Sequence, residues 1–523
     1  MIDKRSERRT RLGEFYTPID HARKALEYIR QVVGEWWQSG EYRLWDMAAG
    51  TGNLEHPLPH DALQYCYIST LRADDADYCK SLYRAATVFQ YDYLNDGEEK
   101  LPANLRADLD NPDLKWIVFI NPPYVTANNP ERGSGKTDKN AVSMTAVRKR
   151  MTADGMGLAS RELFAQFLYR IDREFRDRRA MLCIFSKIKY INANNDQRLR
   201  DKFFDYEFER GFVFSSRHFQ NTKGNFPIGF LIWNLARHIP LSNQKFALDI
   251  LDDQLKPIGV KTFQSVPRGE LINNWFEHPP CRKTFPPFSS ALTIGYRQKN
   301  RCDRIADGFL ASLMSPGNDM MHQNKTALLS GPYVSAGAFS ITPENFECCM
   351  VVHAVRRLPK ATWLNDRDQF TRPSKPLPVE FVNDCVVWSL FAGSNCTAAI
   401  SDVEYEGKHY RIKNELYPWS HDGEERFAAK WLSTHDLSSE ASAVLDAARS
   451  IRQTFYARLN ELDREKYRLE TWDVGWYQVR RSLEDANLLD NETFRAAFDR
   501  LSEKLLPQIY SLGFLRDEVV YFD

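Results

Sequence analysis

The chain of 523 residues has no run of the roughly 18 apolar residues that a bilayer-spanning helix needs, so no membrane span is expected. Its first residues, Met1-Ile2-Asp3-Lys4-Arg5-Ser6-Glu7-Arg8-Arg9, contain no apolar segment of signal-peptide type. Cysteine is sparse. The nine are scattered, with no CxxC and a single adjacent pair, Cys348-Cys349. That excludes a disulfide framework and zinc-finger spacing, and it favours a reducing, cytoplasmic setting. The eleven histidines form no HExxH, and no metal is assigned. There is no excess of either charge. Lys plus Arg and Asp plus Glu each total 70, which argues against a uniformly basic coat but leaves room for a local basic cleft. No internal repeat and no low-complexity tract is present.

What the chain does have is aromatic weight, at 13%, and a β/α rhythm in its first half. After a helical pattern through Ala22, Ala25, Leu26, Ile29, Val32, Val33 and Trp36, short apolar runs recur at strand length. They are Tyr42–Trp45, Gln64–Ser69, Val88–Tyr91, Lys115–Ile120, Ala180–Phe185, Phe212–Phe214 and Ile228–Trp233, with helical patterns between several of them. This predicts a Rossmann-like α/β fold with a seven-stranded, mostly parallel sheet. The last strand follows only a short turn, so it should run antiparallel. From about residue 251 the rhythm fades. Residues 331–356 and 378–412 read as short apolar segments of mixed strand character. A long helical stripe covers about 438–466 and a final helix about 493–506. The expected division is therefore an α/β domain over 1–250 and a mixed α+β region over 251–523.

Three stretches carry chemistry. Asn121-Pro122-Pro123-Tyr124 directly follows the fourth predicted strand. Two prolines cannot donate ladder hydrogen bonds, so the strand stops there. An amide, a stiff turn and an aromatic face at the carboxyl end of a strand suit the grip of a planar group bearing an NH2. Upstream, Asp46-Met47-Ala48-Ala49-Gly50-Thr51-Gly52-Asn53-Leu54 places an acid and a Gly-x-Gly turn at the end of the first strand. Those glycines allow a ligand close to the backbone, although Pro57 and Pro59 leave little helix behind them. Gly13-Glu14-Phe15-Tyr16-Thr17-Pro18 comes first of all.

Beyond Tyr124 a long stretch to about Gly157 is basic and poor in apolar residues. Arg132, Lys136, Lys139, Arg148, Lys149 and Arg150 face only Glu131, Asp138 and Asp154. It reads as a flap whose cations can meet nucleic-acid phosphates. Ser134-Gly135-Lys136-Thr137 is not a P-loop, because Pro130 stands where that pattern needs glycine.

In this order the three stretches resemble the S-adenosylmethionine-dependent amino-methyltransferases of DNA. More narrowly, they resemble the adenine-N6 group in which cofactor motifs precede a target-recognition region, the gamma-class order. The resemblance covers about the first 240 residues. It implies a methyltransferase domain over 1–250 and a DNA-binding target-recognition region over 251–523. Asn121, Pro122, Pro123 and Tyr124 would be catalytic. Asp46, Ala48, Gly50, Gly52, Asn53 and Leu54 would surround the methionine part of the cofactor, with Phe15 and Thr17 holding it from the N-terminal side. Asp92 and Tyr93 would sit at its adenine. A flipped target base would stack on Tyr124, with Phe219, or else Phe226, on its far face. The family's ribose-binding acid has no counterpart in Ser69-Thr70-Leu71-Arg72, so either Asp74 or Asp75 takes that role or the ribose is held differently.

The implied partners are S-adenosylmethionine, double-stranded DNA and a cognate restriction endonuclease or other defence proteins, in a bacterial, phage or plasmid context. The same tetrapeptide also resembles enzymes that methylate adenine in RNA or a glutamine amide in protein. A non-catalytic DNA-binding protein on the same fold is a further alternative.

Overall fold

The computed structural model describes residues 17–124, 144–219, 224–288, 290, 292, 304–333, 337–420, 423–469, 474–516 and 519–522. Phe15, Arg132, Lys136 and Lys139 lie outside them. The chain divides into two compact units. The first is Met1–Pro267 with Thr362–Arg367 and Glu518–Asp523, and the second is Arg268–Ala361 with Asp368–Asp517.

The first unit is built on one sheet. Its strands are β1 (Tyr42–Asp46), β2 (Cys66–Thr70), β3 (Thr87–Gln90), β4 (Lys115–Ile120), β5 (Ala180–Lys187), β6 (Tyr206–Ser215), β7 (Pro227–His238), β8 (Lys245–Leu251) and β9 (Pro257–Gln264), joined by Val519–Tyr521. The order from one edge is Val519–Tyr521, β9, β8, β6, β7, β5, β4, β1, β2, β3. Strands β3, β2, β1, β4 and β5 are mutually parallel. Strand β7 is antiparallel to both β5 and β6. The sheet therefore has ten strands where the periodicity predicts seven, and the unit passes residue 250. The β8–β9 hairpin closes over residues 252–256, where the Asp252 side chain accepts the Gln254 and Lys256 amides and Leu255 sits at φ 60° without glycine.

The central strands are buried on both faces, which is why Lys115–Ile120 reads as an unbroken apolar run. Trp116, Val118 and Ile120 join Trp45, Leu182 and Phe164 in one core layer. Ile117 and Phe119 point the other way, to Leu44, Phe185 and Phe230. Helix α1 (Ile19–Val33) covers the second layer through Ala22, Ala25, Leu26 and Ile29. The other helices of this unit are α2 (Ala73–Leu82), α3 (Ala103–Asp110), α4 (Ala146–Ala153), α5 (Leu163–Phe175) and α6 (Gln197–Lys202). Residues 51–58, after the glycine loop, form turns rather than a helix.

The second unit is mainly helical, with α7 (Phe346–Arg357), α8 (Val379–Phe391), α9 (Phe427–Thr434), α10 (Ser439–Ala457), α11 (Trp476–Asp485) and α12 (Glu492–Ser511). A small sheet orders Phe339–Ile341, Ala311–Met314, Ala327–Leu329 and Asn395–Cys396, and Ile400–Tyr405 pairs with Lys408–Ile412. Residues 346–357 and 379–391, expected to have strand character, are helices. Both are buried on nearly all sides, so the polar stripe that marks an amphipathic helix is missing. Helix α10 stops at Ala457, short of the expected 466, and the final helix runs further than expected, to Ser511.

Candidate active site

Strand β1 delivers Asp46 to the carboxyl edge of the sheet, completely buried. One carboxylate oxygen accepts the Ala48 amide at 2.8 Å. The other, Oδ2, is buried without a hydrogen-bond donor. The turn beyond it places Gly50 at φ 55° and Gly52 at φ 79°. Gly52 is also sterically required, since a Cβ there would come within 2.5 Å of the Tyr83 ring. The Tyr83 hydroxyl donates to the Gly52 carbonyl at 2.6 Å, which ties the loop to the chain just past α2.

Thr17 joins this loop to the tetrapeptide after β4. Its carbonyl accepts the Asn53 amide at 2.9 Å, and its hydroxyl accepts the Asn121 amide at 2.7 Å. With Nδ2 held by Thr17, Asn121 presents Oδ1 as its acceptor. The Tyr124 hydroxyl donates to that oxygen at 2.7 Å. Tyr124 is buried, and burial pushes its phenol well above the ordinary range.

Lys187, at the end of β5, donates to the Tyr124 carbonyl at 3.3 Å. Its ammonium lies 5.9 Å from the Tyr124 ring centroid and 5.3 Å from that of Phe226. Burial lowers its pKa to about 8, helped by Lys189. Sequence reasoning missed Lys187, because a lysine ending a strand carries no signal until β5 is seen beside β4.

After β3, Asp92 forms a tight turn. Its two carboxylate oxygens accept the Leu94 amide at 3.1 Å and the Asn95 side chain at 2.7 Å. Arg170 of α5 clamps this turn. It donates to the Tyr93 and Asp96 carbonyls and to the Tyr91 hydroxyl, pairs with Glu174 at 2.6 Å, and lies 4.4 Å from the Tyr93 ring centroid. Phe167 stacks on Tyr93 at 5.4 Å. Arg170 and Phe167 lie on α5, one of the helical patterns between the strands, but their role emerges only from packing.

These strand ends border one cleft of about 370 Å³, within the usual range for small-molecule sites. Thr17, Asp46, Ala48, Gly50, Asn53, Leu54, Asp92, Tyr93, Asn121 and Pro123 all line it. Gly52, Pro122 and Tyr124 are not in its wall, and Tyr124 covers Asn121 from the side. Asp74 is exposed and faces away, whereas Asp75 and Arg72 line the cleft. Helix geometry decides between the two acids, because adjacent residues point about 100° apart.

Phe219 packs in the core against Phe214 and His21, at 5.4 and 5.8 Å between ring centroids, and does not reach the cleft. Phe226 is half-buried beside Lys187. Arg148 is buried in α4, unlike a phosphate-binding cation, while Lys149 and Arg150 are exposed. Among the described residues no His, Cys, Asp and Glu group could hold a metal. Eight described cysteines are free thiols, and no described helix is long and apolar enough to cross a membrane.

No protein-family model matches the chain, and no curated protein matches it. Partial likenesses to solved structures exist. A DrdV–DNA complex is 16% identical over 48% of this chain and 29% of that one, at a TM-score of 0.33. A nuclease-deletion mutant of the Type ISP restriction-modification enzyme LlaGI, bound to a DNA substrate mimic, is 13% identical over 51% and 28%, at 0.35. The methyltransferase subunit of a type I restriction-modification system from Streptococcus thermophilus is 13% identical over 45% and 47%, at 0.32. The matched part is less than half of each of those chains, and at such TM-scores the likenesses carry no functional weight.

Proposed function

We propose that the protein transfers a methyl group from S-adenosylmethionine to N6 of an adenine flipped out of duplex DNA, as the modification enzyme of a restriction-modification or other defence system. The observation that carries this reading is the bridge at Thr17. One residue holds both the glycine loop and Asn121, so the cofactor-type loop and the amide grip open on the same cleft.

The cleft suits the cofactor. Its glycine turn brings backbone close to a ligand, and Asp46 is a buried acid at the cleft wall, suited to a cationic group. In this reading Asp75 would hold the ribose, and Asp92 and Tyr93 the adenine; all three line the cleft. When bound, the cofactor supplies an electrophilic methyl group on a sulfonium.

The protein's task is to make an aromatic amine nucleophilic. The N6 lone pair of adenine is delocalised into the ring. Two acceptors that pull the amine hydrogens out of plane localise it, and in this reading Asn121 Oδ1 and the Pro122 carbonyl would be those acceptors. The Thr17 hydroxyl fixes which end of the Asn121 amide faces the base. The incoming amine replaces the Tyr124 hydroxyl on Asn121 Oδ1, freeing the Tyr124 ring to stack on the base. Phe226, beside Lys187, would then cover the opposite face. Lys149 and Arg150 on α4 are available to backbone phosphates, and Thr145, which caps that helix, lines the cleft. The second unit is large enough to read sequence.

The test is incubation of the purified chain with S-adenosylmethionine and unmethylated DNA, followed by digestion and mass spectrometry for N6-methyladenine. Asn121→Ala should lower the rate on the order of 10²-fold or more, as for the loss of other preorganised electrostatic groups. Product on RNA or protein but on no DNA would overturn the substrate. N4-methylcytosine would move the target base.

A further inference from the structure

We infer that Glu55 shares a single proton with Asp46 beneath the glycine loop, and that this proton is released when the cationic end of the cofactor settles against Asp46. The inference rests on the cofactor reading above. It assigns to Glu55 a positioning role exerted through Asp46.

Glu55 follows the loop directly and is 1% exposed, and Asp46 is 0% exposed. Both Glu55 carboxylate oxygens and Asp46 Oδ2 are buried without a well-formed hydrogen bond, and the donor near the Glu55 carboxylate is its own backbone amide. The two carboxyls lie within hydrogen-bonding reach of each other. The groups facing Glu55 offer no compensating cation. They are the thiols of Cys66 and Cys79 and the phenol of Tyr83, and each is held above its ordinary range by burial and then by Glu55 itself. All three are neutral at pH 7.

Two ionised carboxylates buried side by side with no cation facing them are strongly disfavoured, and one shared proton removes the repulsion and supplies a donor between them. Burial accordingly raises Glu55 to about 7 and Asp46 well above the usual carboxylate range.

The methionine end of S-adenosylmethionine carries an ammonium and a sulfonium. Either beside Asp46 makes the doubly ionised pair favourable, and the proton passes to the buffer with no covalent bond changed. Binding then depends on pH. The dissociation constant should fall about tenfold per pH unit up to about pH 7 and level off above it.

The experiment is calorimetric titration of the purified protein with S-adenosylmethionine at about pH 6, where the pair still holds its proton, in two buffers of different ionisation heat. Near one proton should be released per cofactor by the wild type and near none by Glu55→Gln, which keeps the side chain's size. Binding with the same proton count in both proteins overturns the inference and leaves the cofactor reading intact. Failure of the wild type to bind overturns both. Should Glu55→Gln not fold, infrared difference spectra of the wild type decide. A protonated-carboxyl band lost on cofactor addition supports the shared proton, and no change in that band refutes it.

Discussion

Thr17, Asn121 and Tyr124 form a chain of hydrogen bonds, and each link can be opened separately. Tyr124→Phe removes the hydroxyl that occupies Asn121 Oδ1 but keeps the ring, so steady-state kcat should stay within about threefold of wild type. Tyr124→Ala removes the stacking face, worth about 1–3 kcal/mol per base, and should lower kcat/KM roughly ten- to hundredfold on the same DNA. Thr17→Val leaves the Asn121 amide without its acceptor. The cost of about 1–3 kcal/mol should appear mainly in kcat, as roughly a tenfold or larger loss.

The carboxyl pair makes a separate prediction about stability. Glu55 is raised in the folded state, so its stabilising protonation is fully present below the unfolded pKa near 4.5 and is lost as pH rises through about 7. Unfolding free energy should fall across that window by up to roughly 3 kcal/mol, and Glu55→Gln should flatten the slope in urea titrations.

Strand β4 shows how an element can be fully legible. Its apolar run, its length and the two prolines after it settle the strand, its end and the place of the amide grip. The glycine loop was legible for the same kind of reason, since Gly50 and Gly52 do adopt the left-handed conformation that glycine permits. Gly52→Ala should cost more than this strain alone, because its Cβ would press on Tyr83. We expect a lowered Tm and weaker cofactor binding, measurable by thermal scans with and without ligand. Helices α7 and α8 were not legible, because nearly complete burial erased their 3.6-residue stripe and left β-branched and aromatic runs that look like strands.

Across the whole chain, the first unit is completed by residues far from its motifs. Trp363 and Leu364 pack into one of its core layers, the Asn192 side chain donates to the Arg367 carbonyl at 2.6 Å, and Val519–Tyr521 pairs antiparallel with β9. A fragment ending at residue 267 loses all three. It should unfold at lower urea concentration than the first unit of the intact chain, followed by tryptophan fluorescence and checked for aggregation along the uncovered β9 edge.

Local chemistry by itself determined the α/β rhythm of the first half, the strand-ending tetrapeptide and the glycine loop, because each depends on neighbours within a few residues. Only the tertiary structure decided that Thr17 joins the loop to the grip, that Asp75 rather than Asp74 faces the cleft, and that Phe226 rather than Phe219 stands near Lys187. It also decided that Glu55 lies against Asp46. Those relations depend on which strand lies beside which and on the direction each side chain takes from its element, and no local pattern encodes either.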